Sequence, residues 1–458
     1  MQSPSIQRQS SPRAASADLT AAAAKRELQA RLTQTERRYV ERNPNSERQL
    51  VETARVLPGG NTRTVLFYRP FPLVMARGEG CRLWDLDGHV YIDLLGEYTA
   101  GLFGHSHPVI RRAMSEAIES GLNLAAHNVL EARLATALCA RFPSLERVRF
   151  TNSGTEANLM ALSLARVATG RSKVMVFEGA YHGGVFIFGH ANRALNVPFE
   201  FVIAPYNESS ECERLLLEHS SDLAAVIVEP MMGSGGCIPA EREFLTMLRT
   251  RTQQCGALLV VDEVMTSRLA PSGLHAELGI RPDLVTLGKY LGGGSSFGAF
   301  GGRADLMDRF DPRRPDALPH AGTFNNNVIS MAGGLAAVTQ VYTPAEVRAL
   351  NARGEALRKR LNGLCREAGA PLQFTGVGSL LNAHGTSRPI HNPRDLSTAS
   401  AELEALLFFE LLEQGFYLAR RGFMALSLAL GDSELDALID AVAQFLARHK
   451  EPLAALEA

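Results

Sequence analysis

Ala257-Leu-Leu-Val-Val261 runs straight into Asp262, and Asp283-Leu-Val-Thr-Leu287 runs through Gly288 into Lys289, 27 residues beyond that aspartate. Each is a short unbroken apolar stretch, the pattern of a strand buried on both faces. Such strands belong to parallel sheets, whose chemistry gathers at the carboxyl ends. Asp262 and Lys289 both fall there. Taken singly, Asp262 could be a helix cap or turn residue and Lys289 a solvated loop lysine.

Taken together, an amine and a carboxylate so placed suit pyridoxal phosphate. The lysine can form a Schiff base with the cofactor's aldehyde, and the carboxylate can keep a proton on the pyridine nitrogen, making the ring an electron sink. Arg147-Val-Arg-Phe150 reads as a further strand, followed by Thr151-Asn-Ser153-Gly154-Thr155-Glu156 and a helix-forming run from Ala157 to Arg166. The first N–H groups of a helix have no internal partner and its dipole favours negative charge, so a phosphate fits at this turn. Ser153 with Glu156 is also the pattern of a capping box. Lys173-Val-Met-Val-Phe177 reads as the next strand. Tyr181, before His182-Gly183-Gly184, could lie flat on a pyridine ring or be a half-buried loop tyrosine.

The composition is that of a compact globular chain: 46% of the 458 residues are hydrophobic and 21% charged. A formal charge of −1 gives no electrostatic reason for nucleic acid or an anionic membrane as partner. The six cysteines, at 81, 139, 212, 237, 255 and 365, form no Cys-x-x-Cys pair and read as reduced thiols, which points to the cytoplasm. No apolar core of signal-peptide length stands at the N-terminus, and no run approaches a membrane span.

Residues 1–18, rich in Ser, Gln, Pro and Arg, are expected to form a tail without fixed structure. Residues 19–100 form an N-terminal segment, helix-prone to about residue 47, with an Asp-Gly hairpin turn in Trp84-Asp-Leu-Asp-Gly88. Over 101–340 apolar strands alternate with helical stretches, predicting an α/β domain with one mostly parallel sheet. Residues 341–458 change pattern and predict a smaller α+β domain. There Ala401–Leu412 reads as a helix stopped by Gly415, residues 416–430 as strand-like, and Ser433 as the start of a last helix.

Three other constellations point to different chemistry only weakly. His105-x-His107 lacks a third ligand at supporting spacing and its glycine and proline suit a turn, so no metal is expected. Gly292-Gly-Gly294 does not open a helix in the dinucleotide pattern and reads as flexible active-site backbone. Gly294-Ser-Ser296-Phe-Gly298 fits Gly-x-Ser-x-Gly in letters, but no helix-forming run follows it as a nucleophile elbow requires, so a serine hydrolase is unsupported.

With these pieces in hand, the chain resembles the class III, fold type I pyridoxal-phosphate aminotransferases. The matching motifs come in the family's order: Gly-His105-Ser-His107-Pro, Thr-Asn-Ser-Gly-Thr-Glu156, Tyr181-His182-Gly, Val-Glu229-Pro230, Val-Asp262-Glu263-Val264, Gly-Lys289-Tyr and Gly322-Thr323-Phe-Asn. They span the chain from about residue 50 to the C-terminus. Within the family it is similar to the group containing glutamate-1-semialdehyde aminomutase, and most to aminotransferases acting on aromatic β-amino acids. The resemblance implies that Lys289 is the Schiff-base lysine, Asp262 the pyridine-nitrogen partner, and Ser153, Gly154 and Thr155 the phosphate cradle. Tyr181 would stack on one ring face, Val264 on the other, and Glu229, after Ala224-Ala-Val-Ile-Val228, would lie near the cofactor. Thr323 resembles a threonine that reaches the neighbouring subunit's phosphate, which implies a homodimer with a shared active site. Arg63 and Arg421 match arginines that hold the carboxylates of the β-amino acid and of the α-amino or α-keto partner, respectively. The resemblance thus implies a transaminase taking an amino acid and an α-keto acid. The rival within the group is an aminomutase, an isomerase; here Pro58-Gly-Gly-Asn-Thr-Arg63 and Gly294-Ser-Ser-Phe-Gly298 depart from its loops. An intact Lys289 and Asp262 give no support to a catalytically silent binding protein.

Overall fold

The computed structural model describes residues 12–189 and 193–457. Seven strands form the central sheet in the order Arg147–Thr151, Gly298–Gly302, Leu284–Gly288, Leu258–Asp262, Leu223–Val228, Lys173–Phe177 and Glu200–Ala204. Leu223–Val228 and Leu258–Asp262 are buried along their whole length, as their unbroken apolar sequences require. Gly298–Gly302 runs antiparallel to both neighbours, while the parallel ladders through the other strands keep one direction. In the register Asp262 pairs with Thr286, so Asp262 and Lys289 leave the same edge of the sheet from adjacent strands. The loops holding Ser153, Tyr181 and Glu229 follow strands that end on that edge too.

The N-terminal segment builds a second sheet from Met75–Glu79, Arg82–Asp85 and Val90–Asp93, with the expected turn at Gly88 (φ 87°). Its fourth strand comes from far along the chain: Phe416–Tyr417 pairs in parallel with Val90–Asp93, Phe416 opposite Ile92. A third sheet, Gln373–Val377, Leu380–His384 and Phe423–Ala425, is flanked by Pro344–Glu367, Ala401–Glu413 and Asp432–Arg448. Of the strand-like stretch 416–430, only Phe416–Tyr417 and Phe423–Ala425 are strands, the intervening residues turning at Gly422 (φ 84°). The helix expected from Ser433 starts at Asp432 and is followed by another, Lys450–Glu457.

The first eleven residues of the expected tail lie outside the described residues. From Pro12 the chain is helical as far as Arg42. Proline suits a helix's first turn because its φ is preset and its missing N–H would have been unpaired there, and alanines follow. Arg38 ties this helix to the C-terminal part of the chain, donating to both Glu413 carboxylate oxygens at 2.7 and 3.0 Å.

Candidate active site

Asp262 ends its strand almost completely buried, and all its neighbours at hydrogen-bond distance are donors. Oδ2 accepts from the Asn158 amide and the His182 Nδ1, each at 2.8 Å, and Oδ1 accepts from the Val264 N–H at 3.0 Å. Asn158 in turn donates to the His182 carbonyl at 2.9 Å and accepts the Thr286 hydroxyl at 2.7 Å. One carboxylate direction is therefore set from three elements of the fold. His182 Nε2 is buried without a partner among the described residues.

Lys289 follows the neighbouring strand in a left-handed conformation, φ 57°, at the start of the tight turn Lys289–Gly292. Burial, together with the positive charges of Arg63 and Arg421, pushes its amine down to about 8, against the opposing pull of Asp262 and Glu97. The lowered value makes the neutral, nucleophilic form accessible near neutral pH. Of the triglycine beyond it, Gly292 is buried, Gly293 half-buried and Gly294 exposed. A Cβ on Gly293 (φ 69°) would lie 2.6 Å from the Gly333 carbonyl carbon, so the lysine turn and the helix Val328–Ala336 meet main chain to main chain.

The helix Gly154–Thr169 begins beside this pair. Ser153 is its N-cap, Oγ accepting from the Glu156 N–H at 3.2 Å; the Glu156 carboxylate returns to the Asn152 N–H at 3.0 Å instead of completing a capping box with Ser153. The N–H groups of Gly154 and Thr155 have no partner among the described residues. Thr155 Oγ1 accepts from the Gly184 N–H at 3.1 Å, joining the helix start to the loop that carries Tyr181. Val264 packs on Gly154 so closely that a Cβ there would lie 2.8 Å from its methyl. The Tyr181 ring remains 45% exposed. Glu229 sits beneath it, accepting from the Tyr181 N–H at 3.3 Å and the Gly233 N–H at 3.0 Å, and burial pushes its carboxyl up to about 7.

Arg63 and Arg421, 358 residues apart in sequence, meet around one ring. Their guanidinium carbons lie 6.0 and 5.7 Å from the Tyr98 ring centroid, and Tyr98 stacks on Phe423 at 5.5 Å. Arg63 is paired with Glu97; Arg421 donates to the Ser234 carbonyl at 2.7 Å. The positive charges of both arginines act on the Lys289 amine and help to lower it. Thr323 stands apart: it is exposed, and no hydrogen bond joins it to Ser153, Gly154 or Thr155. His105 faces Asp93 at 3.2 Å, and His107 is the N-cap residue of Pro108–Glu119. Glu97, Tyr98, Asn158 and Thr286 were not foreseen as site residues, and His182 was seen only as part of a motif. The spacing of Asn158, one helical turn beyond Gly154, is the signal that could have found it.

These groups match the needs of pyridoxal phosphate: two unpaired helix-start N–H groups for a phosphate, an exposed ring for stacking, a buried acceptor for the pyridine nitrogen, and an amine of lowered basicity for the aldehyde. Residues 67–446 match the family model of the class III aminotransferases. A β-phenylalanine transaminase of Variovorax paradoxus is 54% identical over 413 residues, 90% of this chain and 95% of that protein. The solved structure of a β-phenylalanine aminotransferase from the same organism superposes with a TM-score of 0.91 at 53% identity, covering 92% of this chain and 98% of that one. A glutamate-1-semialdehyde 2,1-aminomutase of Dichelobacter nodosus is 37% identical over 420 residues, 87% of this chain and 98% of that protein.

The chain belongs to the class III aminotransferases, of fold type I. It is a pyridoxal-phosphate-dependent transaminase.

Proposed function

We propose that this enzyme moves an amino group from an aromatic β-amino acid to an α-keto acid. The observation that carries the reading is the pair of guanidiniums around Tyr98, two groups suited to carboxylates whose charges both act on the Lys289 amine. Arginine's planar fork suits a carboxylate. Arg63 would take that of the β-amino acid and Arg421 that of the α-keto acid, while Tyr98, backed by the fully buried Phe423, would offer a ring face to an aromatic side chain. The 54% identity with the β-phenylalanine transaminase supports the same substrate class.

Pyridoxal phosphate, when bound, supplies an electrophilic carbon for the amine and a sink for the electrons released at the substrate carbon. The chain's residues supply the rest. Ser153, Gly154 and Thr155 would bind the phosphate, Tyr181 and Val264 would hold the ring between them, and Asp262, aimed by Asn158 and His182, would keep a proton on the pyridine nitrogen. Glu229 fixes the Tyr181 loop through its N–H. Lys289 Nζ would accept the proton from the substrate carbon and hand it back during the exchange, a role an amine held near 8 can play in both directions.

A homodimer with a shared site is part of the proposal. Its support is an exposed apolar surface: Phe324, next to Thr323, is 59% exposed, Leu122, Leu124 and Val129 are exposed as well, and a cavity of about 610 Å³ opens between His127, Phe150, His320 and Gly322. Thr323 would then serve the partner's phosphate. A cytoplasmic location agrees with six unpaired cysteines; no helix among the described residues is long and apolar enough to cross a membrane.

The test is a pair of half-reactions. Arg63→Ala should slow the reaction with β-phenylalanine and Arg421→Ala the reaction with the keto acid, each by roughly 30- to 1,000-fold in kcat/KM, the scale of a buried charge pair losing one member. Wild-type protein that ignores β-phenylalanine but isomerises glutamate-1-semialdehyde without an added keto acid would establish the aminomutase reading instead.

A further inference from the structure

Arg63 carries a counter-charge supplied by the chain, whereas no carboxylate among the described residues pairs with Arg421. Arg63 Nη1 is paired with Glu97 Oε1, with 41% of the arginine and 59% of the glutamate side chain still exposed. Arg421 donates to the Ser234 carbonyl and lies over the Tyr98 and Phe423 rings, and its Nε is buried without a hydrogen-bond partner among the described residues. The Glu97 backbone is held in a costly shape: Gly96, Glu97, Tyr98 and Thr99 have φ of 52°, 48°, 49° and 82°, four left-handed residues in succession. Three of them are not glycine, each disfavoured by about 1 kcal/mol or more there. The surroundings impose the shape. Asp93 Oδ1 accepts from the Leu95 and Gly96 N–H groups at 2.9 Å each, Thr99 is fully buried, and Tyr98 is clamped between Phe423 and a 3.2 Å hydrogen bond to the Val65 carbonyl. The strained loop thus presents Glu97 to Arg63.

We propose that Glu97 is a displaceable counter-carboxylate that sets substrate specificity: it covers Arg63 whenever the bound substrate brings no carboxylate there, and yields to one that does. The inference rests on the reading of Arg63 as a substrate-carboxylate group. A transaminase must admit two different acids to one pocket in turn. When a keto acid is held through Arg421 alone, an uncovered Arg63 would face an uncharged group and add repulsion at Lys289; the Glu97 charge acts on Lys289 in the opposite sense to Arg63. When a β-amino acid or a dicarboxylate arrives, its carboxylate must exchange with Glu97 on Arg63. Glu97 therefore weakens every ligand that uses Arg63 and spares those that do not.

The probe is 3-phenylpropionate, which has the ring and carboxylate of the substrate class and no amine, titrated calorimetrically into the holoenzyme. Glu97→Gln should bind it roughly 2- to 5-fold tighter, the scale of a half-exposed ion pair. Its ratio of kcat/KM for 2-oxoglutarate over pyruvate should rise by a similar factor. Glu97→Asp, which keeps the charge, should stay close to wild type, and in an Arg63→Ala background the effect of Glu97→Gln should vanish. The proposal is overturned if Glu97→Gln leaves both quantities unchanged within error, if Glu97→Asp behaves like Glu97→Gln, if the effect survives without Arg63, or if no variant binds the probe. Failure of the β-amino acid reading shows separately, as wild-type protein inert toward β-phenylalanine; the binding measurement needs no turnover and still decides on Glu97.

Discussion

Asn158 donates its side-chain amide to the Asp262 carboxylate at 2.8 Å from inside the helix whose first turn is the candidate phosphate site. The helix therefore has two jobs along its length, an anion site at its tip and a fixed carboxylate one turn further in. Asn158 also accepts from Thr286, on the strand that leads to Lys289, so phosphate site, carboxylate and lysine share one small hydrogen-bond network.

Replacing Asn158 by leucine keeps the volume and removes the network's centre. The Thr286 hydroxyl, fully buried, loses its acceptor, and Asp262 keeps only His182 on Oδ2. Unfolding in urea should show a loss of about 1–3 kcal/mol, the cost of buried polar groups left unpaired, and turnover should fall with it. Unchanged stability would mean the network is not held as described. Asp262→Asn should instead fold and bind the cofactor while losing most of its turnover, because an amide cannot keep the pyridine nitrogen protonated.

Lys289→Ala removes the only group proposed to carry the substrate proton. Turnover should fall by roughly 10²- to 10⁴-fold or more, the range of a lost general base. Borohydride treatment of wild-type holoenzyme followed by peptide mapping should find the cofactor on Lys289; label on another lysine would sink the assignment.

The lowered basicity of Lys289 has a pH signature. An ordinary lysine has its amine neutral only near pH 10.5, and here the change is centred at about 8. The rate at which cofactor-free protein captures pyridoxal phosphate should climb between pH 7 and 8 and level off by about pH 9. A rate still rising toward pH 10.5 would show that the lysine is not desolvated.

Gly293→Ala probes the turn beneath the lysine. The added methyl would sit 2.6 Å from Gly333 backbone at a φ of 69°, so something must shift. A destabilisation of about 1–3 kcal/mol by thermal or urea unfolding is expected. A variant as stable as wild type would mean that Gly293 and Gly333 do not meet as closely as described.

How much of this was legible in the chain depends on how far each feature is set by local sequence. Leu258–Asp262 and Leu284–Gly288 declare themselves because burial on both faces demands unbroken apolar residues, and the positions of Asp262 and Lys289 follow. Gly298–Gly302 does not: three of its five residues are glycine, which carries no strand signal, and the strand exists because its neighbours come close enough to exclude side chains. The site divides along the same line. Ser153, Tyr181 and Glu229 sit in short loops after readable strands. Glu97 and Tyr98 acquire their places only from a left-handed backbone imposed by Asp93 and from partners such as Phe423, hundreds of residues away. The helical reach back to Pro12 was hidden because residues 12–18 continue a Ser-, Pro- and Arg-containing stretch that reads as a tail.

The pairing of Phe416–Tyr417 with Val90–Asp93 also dictates an order of events at the ribosome. The strands Met75–Glu79, Arg82–Asp85 and Val90–Asp93 emerge early, but the strand that completes their sheet emerges only after every strand of the central sheet has been made. Until then Val90–Asp93 carries an open edge, the kind of surface that recruits wrong partners. A chain cut short before residue 416 could assemble the large sheet and still expose that edge, so synthesis must pass Tyr417 before the N-terminal sheet is closed.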